Sequence, residues 1–244
     1  MPPIRKGDGT PVTPKGISQI RTGDGRILFD GVAIPDSDVG HFDAMDLSID
    51  DQDTVETWHD LSSREVNLDN IGSPTYVSDG INGKPSVFYD GSDDAHRGDS
   101  FETDVNQPIV YFVVMQWDGD ENESDRVFDG VDERIVFEIT DDGDWFIEAE
   151  NSVRGDDPDT NPHIAEVVFD GSDSELLIDG QTVISGDVGG GTMDGFTLGK
   201  TRPDFQSAYY EGYIGEVIAY DSPTSETREA ARDALSNKWD ISLD

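Results

Sequence analysis

Short apolar runs separated by Asp-Gly pairs fill the chain from about residue 41 onward. Positions 87–89, 109–115, 126–128, 135–139, 145–149, 164–169, 175–178, 182–184, 196–198 and 213–220 carry the alternating or continuous apolar pattern of strands. Asp90-Gly91, Asp129-Gly130, Asp142-Gly143, Asp170-Gly171 and Asp179-Gly180 stand between them, and Asp-Gly favours tight turns. Many short strands at even spacing predict an all-β sandwich or barrel. One stretch, 225–238, has a helical period. Ala231, Ala234, Leu235 and Trp239 fall on one face, Thr224 or Ser225 can cap it, and Lys238 suits its C-terminal end. That face should dock on the sandwich. Trp58, Trp117, Trp145 and Trp239 sit within these patterns and are expected in the core.

The first 40 residues follow a different rule. Arg5-Lys6-Gly7-Asp8-Gly9-Thr10 recurs as Arg21-Thr22-Gly23-Asp24-Gly25-Arg26, and each copy is followed by residues that can extend. Two short hairpin units with few apolar residues would need a partner. The expected organisation is an attachment and oligomerisation segment over 1–40, with Arg5, Lys6, Arg21 and Arg26 as docking cations, and a β domain over 41–244.

Charge sharpens the contrast. The 244 residues hold 54 Asp+Glu against 16 Lys+Arg, a net of −38. Residues 1–26 carry +3 and the remainder −41. Hydrophobic residues make up 34%, enough for a sizeable core, so the acidity does not mean disorder. The acid is mostly Asp and is spread along the chain, and Lys is scarce. Such a surface repels itself at ordinary salt, whereas molar salt shortens the Debye length to about 3 Å. The composition predicts a protein for saturated salt, from an extreme halophile or something that replicates in one. A dedicated cation binder would concentrate its acid locally. Nucleic acid and anionic membranes are poor partners for this surface. There is no cysteine, the apolar runs are too short for a membrane span, and the first residues lack the apolar stretch of a Sec-type signal.

An ordered set of segments resembles the concanavalin A-like (laminin G-like) jelly-roll family. It starts at Phe42-Asp43-Ala44 and runs through Val55-Glu56-Thr57-Trp58-His59-Asp60-Leu61-Ser62 and Ile81-Asn82-Gly83-Lys84-Pro85-Ser86-Val87-Phe88-Tyr89-Asp90-Gly91. Leu176-Leu177-Ile178-Asp179-Gly180-Gln181-Thr182-Val183 is similar to the family's Asp-Gly hairpin. Leu198-Gly199-Lys200, then Tyr213-Ile214-Gly215-Glu216-Val217 and the closing helix complete the match. The resemblance implies a two-sheet antiparallel sandwich that binds glycans or proteins, with a minority of members being glycosidases.

Catalytic chemistry is hard to find in the sequence. The family's hydrolase pattern of closely spaced acids on one strand is absent: Glu138, Asp142 and Glu148 are interrupted by a Gly-containing turn. Glu148 and Glu150 share a strand face without a residue that marks either as the acid, and a solvated face is expected. The four histidines are isolated. Thr140 to Trp145 has an Asp-box-like composition with the wrong spacing and reads as a hairpin turn. The expectation is therefore a chain without catalytic residues and without a required cofactor. Asp118, Asp120 and Asn122 at alternate positions, followed by Asp129, are the candidate ligands for a structural Ca²⁺ or Mg²⁺, with a solvated acidic loop as the simpler reading.

For binding, the loop after Leu198 stands out. Lys200, Arg202, Asp204, Phe205, Tyr209 and Tyr210 combine cations and aromatics in a chain that keeps cations scarce. Phe205 and Tyr210 also suit closing the sandwich edge. Residues 90–97, with His96 and Arg97, are a second candidate. A cationic attachment segment joined to a jelly-roll head looks like the fibre and turret proteins of tailed viruses. That likeness implies a non-enzymatic virion surface protein assembled in the host cytoplasm; a glycan-active hydrolase of the same fold and a cellular adhesion or sugar-binding module are the alternatives. The virion protein would be a trimer or a pentamer, attached to other virion proteins and binding a host glycan or glycoprotein.

Overall fold

The computed structural model describes residues 33–119, 124–155, 157–202 and 208–243, and the backbone of 19–21 and 27–30. Strands β1 (Gln19–Arg21) and β2 (Ile27–Asp30) pair antiparallel and flank the second Gly-Asp-Gly copy. Of the expected docking cations, Arg5, Lys6 and Arg26 lie outside the described residues, and Arg21 is described by its backbone alone.

The remaining strands are β3 (Gly40–Asp43), β4 (Thr57–Trp58), β5 (Leu68–Ile71), β6 (Thr75–Val77), β7 (Ser86–Asp90), β8 (Ala95–Arg97), β9 (Ile109–Trp117) and β10 (Asp125–Asp129). They continue with β11 (Val136–Ile139), β12 (Trp145–Glu148), β13 (Ser152–Gly155), β14 (Pro162–Phe169), β15 (Ser174–Ile178), β16 (Gln181–Gly186), β17 (Thr197–Leu198) and β18 (Glu211–Asp221). Sheet I has the order β13-β12-β11-β10-β17-β8-β5-β4, and sheet II has β16-β15-β14-β9-β18-β7-β6, with β3 also paired to β18. Every ladder is antiparallel. The architecture is the expected two-sheet sandwich with one C-terminal helix. All ten strands read from the pattern are present.

Three of the strands that the pattern misses share a cause. β5 reads Leu-Asp-Asn-Ile, β8 Ala-His-Arg and β13 Ser-Val-Arg-Gly, each too short and polar to show a period. Their extended form comes from pairing with longer neighbours. The Asp-Gly hairpin behaves as its sequence suggests: Asp179 and Gly180 both take positive φ, 50° and 89°, as a type I′ turn requires.

Two apolar layers hold the fold. Between the sheets, Tyr111 of β9 stacks on Phe128 of β10 at 4.2 Å, and Trp145 stacks on Phe137 at 5.5 Å. Trp58, Trp117, Trp145 and Trp239 are all buried, and each such side chain contributes a few kcal/mol by leaving water. The second layer lies outside sheet II, where α1 (Ser225–Trp239) covers Val110, Phe112, Val114 and Ile218 with Ala231, Leu235 and Trp239. Thr224 caps the helix, its Oγ1 accepting from the Thr227 N–H at 3.1 Å. A bulge between Ile214 and Glu216 puts Gly215 under the Trp239 ring, where a Cβ would come within 2.4 Å of it. Among the described residues no helix is long and apolar enough to cross a membrane. The helix leaves the outer face of sheet I as the broad sheet surface that α1 does not cover.

Candidate functional site

Alternation decides what that outer face carries. Phe137 and Ile139 of β11 and Trp145 and Ile147 of β12 join the inter-sheet core, so Glu138, Phe146 and Glu148 face away from it. Register then builds a row across the strands. Arg126 lies opposite Glu138, Glu138 opposite Phe146, and Phe146 opposite Arg154. Beyond a bulge in β10 the row resumes with Asp129 opposite Thr197, Thr197 opposite Arg97, Arg97 opposite Asp69, and Asp69 opposite Thr57. Eight strands thus contribute to one row, polar except for Phe146, whose middle members Arg126, Asp129, Glu138 and Thr197 are buried and satisfied within the protein. At about 4.8 Å between strands the row spans roughly 34 Å.

Much of the arginine of this acidic chain lies here. Arg97, Arg126, Arg134, Arg154 and Arg202 are five of the eight arginines beyond residue 26, and all lie on or beside this face. Arg126 bridges Glu138 at 2.5 Å and Asp129 at 3.1 Å. Arg134 meets Glu148 at 2.5 Å. The β10–β11 turn is positioned by the buried Asp194, which accepts the Val131 and Asp132 N–H groups at 2.8 and 2.7 Å. Held this way, the turn offers the Val131 carbonyl to Arg97 Nη2 at 3.1 Å and the Asp132 carbonyl to the Arg202 guanidinium.

Beside Arg97 the face opens into a recess of about 450 Å³, lined by Asn67, Asp69, Arg97, Asp99, Ile71 and Val131 among others. A recess of about 500 Å³ at the 47–59 segment holds Ile49, Glu56 and His59 and no arginine. The first is the candidate binding pocket, because guanidinium, amide, carboxylate and apolar groups converge in it.

Two carboxyls near the row have perturbed acidity. Burial raises Glu148 above its ordinary value; the Glu138 carboxylate adds to the effect, while Arg134 and Arg126 oppose it. Burial likewise raises Asp129, against Arg126 and the backbone N–H groups of Arg202 and Gly130. Glu148 lies opposite Val136, so Glu138 is its diagonal neighbour on the same face, with Cβ atoms about 7 Å apart.

The structure sorts the sequence candidates. Arg202 reaches this face: its N–H is 3.3 Å from Asp129 Oδ2. Lys200 and Tyr209 are half-buried and pair with each other, the ammonium 5.1 Å from the ring centroid. Tyr210 is fully buried against Tyr89 and offers no face to a ligand, so it closes the core. Asp204 and Phe205 lie outside the described residues. In the second candidate segment, His96 is a core residue, 2.9 Å from the Tyr89 hydroxyl and 2.8 Å from the Val55 carbonyl, because it is the inward position of β8. Its neighbour Arg97 faces outward and lines the recess. Glu148 is not on a solvated face but half-buried against Arg134; Glu150 lies past the end of β12, and its carboxylate accepts the Gly190 N–H. Thr140 to Trp145 is the expected hairpin turn, with the Thr140 N–H on the Asp144 carbonyl at 2.9 Å.

The two proposed cation ligands that are described, Asp118 and Asp129, do not converge. Asp118 sits by Glu211 and Asp125 at one end of β10, whereas Asp129 is at the other end, held by Arg126; Asp120 and Asn122 lie outside the described residues. Among the described residues, two other groups come close enough to share an ion: His41, Asp43 and Glu216, and Asp90, Asp93 and Asp94. The Lys238 ammonium occupies the first, 2.7 Å from Asp43 and 2.6 Å from Glu216. In the second, Asp90 Oδ1 caps its own turn through the Ser92 and Asp93 N–H groups.

No family model and no curated protein matches the chain. Several solved structures share its fold. A Trypanosoma rangeli sialidase in complex with sialic acid aligns with TM-score 0.61 and 13% identity over 94% of this chain and 37% of that one. Domain 4 of AbnA, a GH43 extracellular arabinanase from Geobacillus stearothermophilus, in complex with arabinotriose, aligns with TM-score 0.50 and 16% identity over 67% of this chain and 82% of that domain. A botulinum neurotoxin type C structure, whose cell entry depends on two ganglioside molecules, aligns with TM-score 0.57 and 10% identity over 84% and 52%. The chain thus spans little more than a third of the sialidase. These likenesses agree with the concanavalin A-like resemblance at the level of fold. They also correct one expectation: the similar structures include a sialidase and an arabinanase, both glycosidases, so a chain without catalysis is not what its fold points to.

Proposed function

We propose that this chain works on glycans, as the saccharide-binding sandwich of a glycan-active protein, with the outer face of sheet I as its site. The observation that carries the reading is the Arg97 recess at the open end of the eight-strand row, where Arg97, Asp69, Asp99, Asn67 and Ile71 converge. Sugar hydroxyls both donate and accept, so the mixed lining of the recess can hold a saccharide unit. The neighbours support it: one is a sialidase with sialic acid, one an arabinanase domain with arabinotriose, and one a toxin that uses gangliosides. A glycan array in molar salt tests the proposal. Binding by wild type and at least tenfold weaker binding by Arg97→Ala at unchanged melting temperature is the expected result. Equal binding by the variant would move the site off this face.

Hydrolysis is the second reading, favoured by one observation. Burial raises the pKa of Glu148, and a carboxylate neighbour, Glu138, lies on the same face. A carboxyl with a raised pKa is better suited to deliver a proton as general acid, and a second carboxylate several ångströms away can act on water or on the anomeric carbon. Reducing-sugar release from envelope glycans, lost in Glu148→Gln and Glu138→Gln, is the result this reading requires.

For the biological setting, the acidic composition supports a high-salt environment, and the cationic first segment supports docking on acidic protein. We assign the chain to the surface of a virion of an extreme halophile, oligomeric through residues 1–40. Retention of the oligomer after deleting those residues, seen by light scattering, would remove that assignment.

A further inference from the structure

Building on the glycan reading, we infer that the Arg97 recess selects neutral sugars and rejects those carrying a carboxylate. The five arginines at first suggest the opposite. Each guanidinium, however, already faces an acceptor of the protein. Arg126 serves Asp129 and Glu138, Arg134 serves Glu148, Arg154 lies 3.6 and 3.9 Å from Asp142 and Asp144, and Arg202 serves the Asp132 carbonyl. Arg97 itself is engaged by the Val131 carbonyl at 3.1 Å and lies 3.6 Å from the Asp132 carboxylate. Recognition of a sugar carboxylate needs an open guanidinium fork, and opening one at Arg97, Arg126 or Arg134 would strand the Val131 carbonyl or a largely buried carboxylate.

The recess adds repulsion. Asp69 and Asp99 both line it, against Arg97 as its one cation. Asp69 lies directly across the ladder from Arg97, so an incoming anion near the guanidinium would meet that carboxylate as well. Molar salt removes long-range repulsion but not contact between like charges a few ångströms apart.

A neutral pyranose meets complementary groups instead. Its hydroxyls can donate to Asp69 and Asp99. They can accept from Arg97 and from the Asn67 amide, whose carbonyl oxygen is taken by the Asp60 N–H at 3.0 Å. Ile71 gives the sugar's C–H face an apolar wall.

The test is a titration in molar salt of full-length protein with two matched panels. One holds neutral disaccharides ending in glucose, galactose or mannose; the other ends in glucuronate, galacturonate or sialate. Wild type should bind at least one neutral sugar ten times more tightly than its carboxylated counterpart. The Asp69→Asn/Asp99→Asn protein should narrow that ratio, since both changes keep shape and remove charge. Equal or tighter binding of the carboxylated panel by wild type would overturn the inference and leave the glycan reading standing. An unchanged ratio in the double variant would overturn it for this recess. Failure of folded wild type to bind either panel would overturn both.

Discussion

Glu166 and Arg232 meet at 2.7 Å across the junction of β14 and α1, the carboxylate buried in the sheet and the guanidinium on the helix. Arg228 binds the other Glu166 oxygen at 2.5 Å and also reaches Glu175 at 2.8 Å. One helical turn separates the two arginines, so both close on one carboxylate. At the far end of α1, the buried Glu216 accepts from Lys238 and from Trp239 Nε1 at 2.6 and 2.8 Å. The helix is therefore clamped at both ends by acids that cannot reach water. Replacing Arg228 and Arg232 together by Ala leaves Glu166 buried without them. Denaturant melts should show a loss of about 3–5 kcal/mol; a loss under about 1 kcal/mol would mean that the acid escapes to solvent.

His96 gives a pH signature. Burial lowers its pKa from 6.5 to about 4, against a smaller rise from the Val55 carbonyl. The unfolded chain therefore takes up a proton at a pH where the folded one does not. This contribution is complete above about pH 6.5 and is lost as pH falls toward 4, in all about 3 kcal/mol. Other carboxylates titrate at the lower end, so the comparison is with His96→Gln. Wild type should lose stability more steeply than the variant between pH 6.5 and 4, and parallel curves would refute the assignment.

Gly215 should not tolerate a side chain. A Cβ there meets the Trp239 ring at 2.4 Å, and a ring held by the Glu216 hydrogen bond has little freedom to move. Gly215→Ala should cost about 1–3 kcal/mol. Trp239 fluorescence would report the displaced ring.

Salt should matter for the surface more than for the clamps. Residues 27–244 carry −41, and self-repulsion grows as screening is withdrawn. Dialysis from molar KCl to about 0.1 M should reduce the β signal in circular dichroism. Full retention of structure and melting temperature would end the high-salt reading.

The 200–210 loop keeps one test from its sequence. Arg202 is tied to the outer face, and Tyr209 presents a half-buried ring beneath Lys200. Arg202→Ala and Tyr209→Ala should each weaken glycan binding by about 1–2 kcal/mol. Wild-type affinity in both would confine the site to the recess.

Much of the fold could be read from the chain because the signals are local. A strand such as β9, Ile109–Trp117, announces itself by its own residues, as do the Asp179-Gly180 turn and the apolar face of α1. The site could not be read in this way. Asp69, Arg97, Asp129, Glu138 and Thr197 lie far apart in sequence and become neighbours through strand order and register alone. With 54 acids available, no spacing marks which ones the few arginines will choose.

The sequence by itself determined the class of fold, the capped helix, the buried tryptophans and the acidic surface, since each follows from composition or from a period within a few residues. Only the tertiary structure decided that His96 and Tyr210 turn inward, that Glu148 is paired rather than solvated, and that five of the eight arginines beyond residue 26 gather on the sheet face opposite the helix. The physical reason is the two-residue period of a strand. It tells which side chains share a face, but which face becomes core, and what lies across the ladder, depends on partners far along the chain.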